Sequence, residues 1–354
     1  MIAAAFAIPG DLSSPTGGYR YDREVLARAN RHGVALGHLP LASAFPFPDA
    51  AALDAAWTGI AALDPASVLL ADGLAFGAFP EDLLARIENP IVALIHHPLA
   101  LESGLAAAAA TALRASETAA LARAQAVIAT SRTTAQILAT DYGVAARLLH
   151  VAEPGTARTP RATGSAGPDV HLLAVGAVSV RKDYGRLVAA LAMLKGLDWR
   201  LTIAGATDRA PQVTTALQAV IAAAGLEDRI TLAGAVSEAE LAALYVQADL
   251  FVLSSLFEGY GMVLTEAMAC GLPIVMTTGG AAAATVPDGA ALKVPPGATA
   301  TLSEALGAAI ADATLRQRLA ETAFAAASRL PGWDDTTRII CDVVARIASE
   351  TIRS

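Results

Sequence analysis

Two glutamates, Glu258 and Glu266, are separated by seven residues in the string SSLFEGYGMVLTEAMACGLPIV, residues 254–275. Between them lies a glycine turn, Gly259-Tyr260-Gly261, that opens a helix after the apolar run 249–253. A strand, a glycine turn and a helix start together make an anion site. Backbone N–H groups and the positive end of the helix dipole converge there. The carboxylate of Glu266, about a turn and a half into the helix, suits the vicinal diol of a ribose. Glu258, in the turn, sits where a sugar carried on the phosphate would lie. A second loop, GAVSVRKD at 176–183, brings Arg181 and Lys182 to another helix entrance. Cations meeting the positive end of a dipole are unfavourable unless something negative offsets them, and a diphosphate would. The third element is His96-His97, directly after the apolar run 91–95. Strand alternation leaves open which of the two faces the site, with His97 preferred.

Elements that position these groups alternate in the manner of a doubly wound α/β protein, twice over. Apolar runs at 2–8, 68–71, 91–95 and 126–130 are separated by helical stretches, the first at 21–32. Residues 153–168, EPGTARTPRATGSAGP, have the composition of a linker. A second alternation follows: strands at 171–175, 200–204, 230–233, 250–253 and 273–276, with helices at 184–194, 213–224 and 238–248 and the motif helix between them. The domains are therefore expected at residues 1–160 and 168–330. Ligands in such sheets bind beyond the carboxyl ends of the strands, where every motif above falls.

The string EGYGMVLTEAMACGLPIV resembles the Glu-x7-Glu signature of glycosyltransferase family 4, retaining enzymes of the GT-B fold. The likeness is strong over residues 170–300. It implies an α/β protein of two Rossmann-like domains facing a cleft, with a last helix, 334–354, returning to the first domain. It implies a retaining hexosyltransferase that moves a sugar from a nucleotide-sugar, UDP-glucose or another UDP-hexose first, to a small soluble acceptor with α-linkage. GDP-mannose and ADP-glucose stay open as donors. By the resemblance, Glu266 binds ribose, and the Gly259, Tyr260, Gly261, Met262 and Val263 segment binds the diphosphate. Lys182 falls on the family's lysine. The family's commoner arginine is Ala177 here, and Arg181 matches branches with adjacent Arg-Lys. Gly17 and Gly18, in SPTGGY, match a glycine pair that closes over the donor phosphates, and glycine there permits φ > 0 or close approach. One histidine after the 91–95 run, His97 before His96, reaches the donor sugar. Backbone around Ala235 and Val236 holds the base. A family glutamate before Thr285 is Ala284 here. The strings at 96–104 and 151–162 suggest a bacterial branch and, as one candidate, a pterin-like acceptor.

Composition narrows the classes. The chain has 354 residues, 55% of them hydrophobic and 16% charged, with net charge −8. That length suits two domains. The charge excludes a general nucleic-acid binder and a polybasic membrane dock. The arginines at 20, 23, 28 and 31 read as a solvated helix face, diluted by Asp22 and Glu24. The alanine tract at 106–111 is too short to span a membrane, and the N-terminus lacks a basic n-region, so a cytoplasmic protein is expected. Cys270 and Cys341 lack metal spacing and read as structural thiols. Neither histidine lies in a Cys/His/Asp cluster at metal spacing, and Asp-x-Asp is missing, so no metal and no cofactor are expected. A nucleotide-sugar-binding protein without transfer activity and an epimerase of the same fold are the alternatives.

Overall fold

The computed structural model describes residues 1–353, with side chains to residue 351. The chain divides into two units, Met1–Gly155 with Pro331–Ser354, and Thr156–Leu330. The first runs β1 (Ile2–Pro9), α1 (Gly17–Arg28), β2 (Val34–Leu41), α2 (Ala50–Ala61), β3 (Val68–Asp72), α3 (Gly73–Phe76), α4 (Glu81–Arg86), β4 (Ile91–Ile95), α5 (Ala107–Leu121), β5 (Ala126–Ala129), α6 (Arg132–Asp141) and β6 (Leu149–Val151). Its six strands are parallel, in the order β2-β1-β3-β4-β5-β6. Strands β3, β4 and β5 are buried along their whole length, as a parallel sheet covered on both faces demands.

The second unit runs β7 (Val170–Val175), α7 (Tyr184–Ala192), β8 (Trp199–Ala204), α8 (Pro211–Ala223), β9 (Ile230–Gly234), α9 (Glu238–Gln247), β10 (Leu250–Leu253), α10 (Met262–Ala269), β11 (Ile274–Thr277), α11 (Ala282–Thr285), β12 (Ala291–Val294), α12 (Thr299–Ala311) and α13 (Ala313–Ala327). Its parallel order is β12-β11-β10-β7-β8-β9. Period-two alternation sorts its strands between two cores. Leu172, Ala174 and Val252 face one, with Leu187 and Leu306. Leu173, Val175 and Phe251 face the other, with Leu264 and Met268. The final helix, α14 (Trp333–Arg353), belongs to the first unit. There Trp333 packs edge-on against Tyr21 at 5.7 Å, and a Cβ on Gly155 would lie 2.3 Å from the Trp333 amide.

Two expectations need correction. Helix α1 starts at Gly17, four residues earlier than 21, because the Thr16 side chain accepts from the Tyr19 amide and caps it. The segment at 153–168 is not a free linker beyond Gly155. Its amides are used by the second unit: Ala162 N donates to Cys270 O at 2.8 Å, Thr163 N to Val246 O at 2.8 Å, and Ser165 N to Asp249 Oδ1 at 3.1 Å. Composition marks where regular structure stops, but the backbone donors still need partners.

Candidate active site

In the second unit the strand order reverses between β10 and β7, the place where doubly wound sheets open a crevice. The loops leaving those two strands carry the charged residues. After β7 the chain makes a 3-10 turn, Val180–Lys182, and Asp183, at φ 47°, precedes α7. Arg181 and Lys182 therefore lie in a turn of their own rather than in the first turn of the helix. That turn is knitted to the loop after β10: Leu256 N donates to Arg181 O at 2.8 Å and Ser254 Oγ to Lys182 O at 2.7 Å.

These backbone ties bring both cations onto Glu258. Lys182 Nζ lies 2.7 Å from Glu258 Oε1 and Arg181 donates to Oε2 at 2.9 Å. Ser255 Oγ adds a third donor at 2.6 Å. Glu258 and Lys182 are each 7% exposed. Burial alone would push the Glu258 carboxyl up, but the charges of Lys182 and Arg181 and the donated hydrogen bonds bring it down to about 2. Burial also lowers the Lys182 ammonium, opposed by Glu258 and, more weakly, by Glu266. The negative charge that offsets the cations in this structure is thus Glu258, where the sequence pointed to a diphosphate alone.

Glycines make the close approaches possible. Gly176 follows β7 and Gly205 follows β8, and a Cβ on Gly205 would stand 2.1 Å from Gly176 O. A Cβ on Gly176 would stand 2.4 Å from Lys182 Cε, so the lysine occupies the space that the missing side chain leaves. The motif turn closes with Gly261 at φ 91°, the N-cap of α10, so Met262 and Val263 form the first turn of that helix. Glu258 N donates to Gly279 O and Ala281 N to Glu258 O, which pins the turn carrying Gly259 and Tyr260 to the loop after β11. Ala284 lies in α11, next to Thr285, whose hydroxyl donates to Tyr260 O at 2.5 Å. Glu266, on α10, accepts from Tyr245 of α9 at 2.8 Å. Val236 precedes Ser237, which builds a capping box with Glu240 at the start of α9. Sequence reasoning missed Ser255, Tyr245 and Gly205. Only a glycine directly after each of β7 and β8 and at the end of β9 was visible as a signal.

The first unit holds a separate group, again where its order reverses, between β1 and β3. Gly17 and Gly18 open α1, and neither has positive φ. Gly18 faces His96: a Cβ there would contact the ring at 3.7 Å. The sequence preferred His97, but the structure joins His97 to Glu102 at 3.0 Å and sets His96 beside the glycine pair. His96 Nε2 lies 3.2 Å from Asp22 Oδ1 and 3.5 Å from Asp72 Oδ2. One ligand atom from each of these three residues falls within 4.8 Å of the others, a spacing that a cation could bridge. The expectation of no such cluster around the histidines is corrected here: Asp22 is 74 residues from His96 in sequence, so no local spacing could show it. Cys270 and Cys341 are buried, Cys270 against Thr159 Oγ1 at 3.2 Å.

The fold is of the GT-B type, built from two Rossmann-like α/β units. Residues 156–325, nearly the whole second unit, match the glycosyl transferases group 1 family. A D-inositol 3-phosphate glycosyltransferase from Xylanimonas cellulosilytica is 31% identical over 243 residues, 64% of this chain. The match spans 58% of that relative's length. The sucrose-phosphate synthase structure from Thermosynechococcus elongatus superposes with TM-score 0.84 at 19% identity, covering 99% of this chain and 100% of its own. The Anabaena HepE structure in complex with UDP-glucose superposes with TM-score 0.77 at 18% identity over 100% of both chains. Among the described residues no helix is long and apolar enough to cross a membrane.

Proposed function

We propose that the protein is a retaining, metal-independent hexosyltransferase of the cytoplasm that uses a nucleotide-sugar, UDP-glucose or another UDP-hexose. The observation that carries this reading is the ion-paired set of buried Lys182 and Glu258 with the partly exposed Arg181 beside the N-terminus of α10, with Glu266 on that helix. HepE, crystallised with UDP-glucose, supports a UDP-sugar by likeness of fold. The relative named for inositol 3-phosphate supports a small hydroxylated acceptor, and the pterin-like acceptor has no observation behind it.

Glu266 binds the ribose hydroxyls, held in place by Tyr245. Lys182, Arg181 and the Met262 and Val263 amides take the diphosphate. As the bond between the sugar C1 and the leaving oxygen breaks, charge grows on the diphosphate, and fixed cations there stabilise the transition state more than the ground state. The acceptor hydroxyl attacks the same face, and its proton passes to the departing phosphate oxygen, which gives the α product. A double displacement would need a carboxylate nucleophile. Glu258 is unsuited to that task, because three donors, two of them cations, make it a weak base. It orients sugar hydroxyls instead.

A thermal-shift panel with UDP, UDP-glucose, UDP-N-acetylglucosamine, GDP-mannose and ADP-glucose, with and without EDTA, tests the reading. A rise in melting temperature with the uridine compounds, unchanged by EDTA, is expected. No shift with any of the five sinks it.

A further inference from the structure

The cluster of Asp22, His96 and Asp72 has no part in the nucleotide chemistry just described and lies wholly within the first unit. Asp22 is on α1, Asp72 ends β3 and His96 follows β4, so three elements meet there. Asp22 is fully buried and Asp72 is 4% exposed. Two buried carboxylates this close repel one another, and one imidazole, even charged, offsets only one of them. Asp22 Oδ2 belongs to the carboxylate whose Oδ1 meets His96, and it has no hydrogen-bond partner among the described residues. A buried acceptor left in that state is destabilising. Stability alone would be better served by an amide or an apolar group.

The spacing is that of a metal's coordination shell. His96 Nε2 lies 3.2 Å from Asp22 Oδ1 and 3.5 Å from Asp72 Oδ2, and one ligand atom from each of the three residues falls within 4.8 Å of the others. Ligands held at about 2.0–2.1 Å around a tetrahedral ion stand roughly 3.3–3.4 Å apart. The two separations from the ring bracket that edge. Each ligand is also fixed by surroundings of its own. Asp72 Oδ1 accepts from the Leu74 amide at 2.7 Å, which leaves Oδ2 for an ion. Thr130 Oγ1 donates to the His96 carbonyl at 3.0 Å, and the Tyr21 ring meets the imidazole edge-on at 5.2 Å. The Tyr21 hydroxyl in turn donates to Ala152 O at 2.8 Å. Supports of this kind orient ligands before a metal arrives. The His96 side chain is 23% exposed, which gives an ion a path in from solvent.

We propose that Asp22, His96 and Asp72 form a binding site for a divalent transition-metal ion, zinc before others, with solvent completing the coordination. An imidazole nitrogen in the set favours zinc over magnesium or calcium, which take oxygen ligands. A dication removes the repulsion between the two carboxylates and gives the Asp22 carboxylate the partner it lacks. The sugar transfer proposed above draws on residues of the second unit, so the ion is no part of that step.

The test is a calorimetric titration of the full chain, stripped with EDTA and dialysed, with zinc chloride, together with melting curves. One zinc ion per chain is expected, and at about 100 times its Kd a rise in melting temperature of roughly 5–10 °C. Magnesium chloride at the same concentration gives no rise. Asp22→Asn and, separately, His96→Gln each weaken zinc binding at least about 100-fold, since losing a ligand costs more than losing a residue that supports one. Without metal, Asp22→Asn melts no lower than the stripped wild type, because the substitution relieves the repulsion. A stripped wild type that takes up no zinc overturns the proposal. So does zinc bound equally by the wild type and both variants, which would be an adventitious ion only. A rise with magnesium equal to that with zinc overturns it too. None of these measurements uses a nucleotide-sugar, so they decide the site whether or not the function proposed above holds.

Discussion

Replacing Glu258 by glutamine is the sharpest perturbation of the second unit. The substitution keeps shape and the Ser255 contact but removes the charge that Lys182 Nζ meets at 2.7 Å and Arg181 at 2.9 Å. The two cations do not suffer equally. The Arg181 side chain is 25% exposed and can turn to water, whereas the Lys182 side chain is 9% exposed and cannot. Breaking a buried pair by removing one partner costs about 3–5 kcal/mol, because the remaining charge stays desolvated. For a unit of this size each kcal/mol moves the melting temperature by about 2–4 °C, so a fall of roughly 10 °C is expected.

A circular-dichroism melt of Glu258→Gln reads the effect. The double variant Glu258→Gln with Lys182→Met gives the reasoning a second edge. An apolar side chain of similar volume in place of the stranded ammonium is expected to recover more than half of the loss, since a buried pair exchanged as a whole is close to neutral. A single variant melting within about 1–2 °C of wild type would show that the pair is solvated in solution. A double variant no more stable than the single would show that the loss comes from the turn geometry and not from the stranded charge.

Four further outcomes are expected. Because Glu258 is brought down to about 2 in the folded chain, its contribution to stability is present above the unfolded carboxyl range and is lost as pH falls from about 4.5 toward 2, on the order of 3 kcal/mol. Urea unfolding across that window should show a steeper acid loss in wild type than in Glu258→Gln. Gly205→Ala places a Cβ 2.1 Å from Gly176 O and should cost roughly 3 kcal/mol or more in a urea titration; a neutral result would mean that the two strand ends separate readily. Tyr245→Phe removes the 2.8 Å donor to Glu266 and should weaken UDP binding about 3–10-fold by calorimetry, an unchanged affinity showing that Glu266 needs no such support. Glu266→Ala should weaken nucleotide binding and Lys182→Ala mainly slow transfer in a steady-state donor assay; wild-type constants in both would remove them from the site.

Most strands that were readable in the sequence are buried on both faces, the half-exposed edge strand β9, read at 230–233, being an exception. Strands β3, β4, β5, β10 and β11 are short unbroken apolar runs for that reason. Strands β2, β6 and β12 escaped notice because each lies at a sheet edge, half-exposed, and β2 carries Gly37, His38 and Pro40. Site residues divide in the same way. Glu258, Glu266, Arg181 and Lys182 lie in loops that leave single strands, so local strings reveal them. What they do to each other is not local. That Glu258 takes both cations depends on β7 and β10 being neighbours. That His96 rather than His97 meets Gly18 depends on β4 and α1 converging on the same point.

Both order-reversal points therefore carry buried charged side chains. In the second unit Lys182 and Arg181 both lie on Glu258, Glu266 acts more weakly on Lys182, and Lys182 is already stripped of much of its water. A diphosphate arriving there meets donors that need little reorganisation, which is the condition under which electrostatic stabilisation of a leaving group is strongest. The same arrangement weakens the ligand-free fold, because a desolvated lysine offset by a shared carboxylate is inferior to apolar packing. Stability and ligand binding should consequently move in opposite directions at this position. The double variant that recovers the melting temperature of Glu258→Gln is the one that should no longer gain stability from UDP, and a double variant that kept both would break the link between the buried charge and the diphosphate.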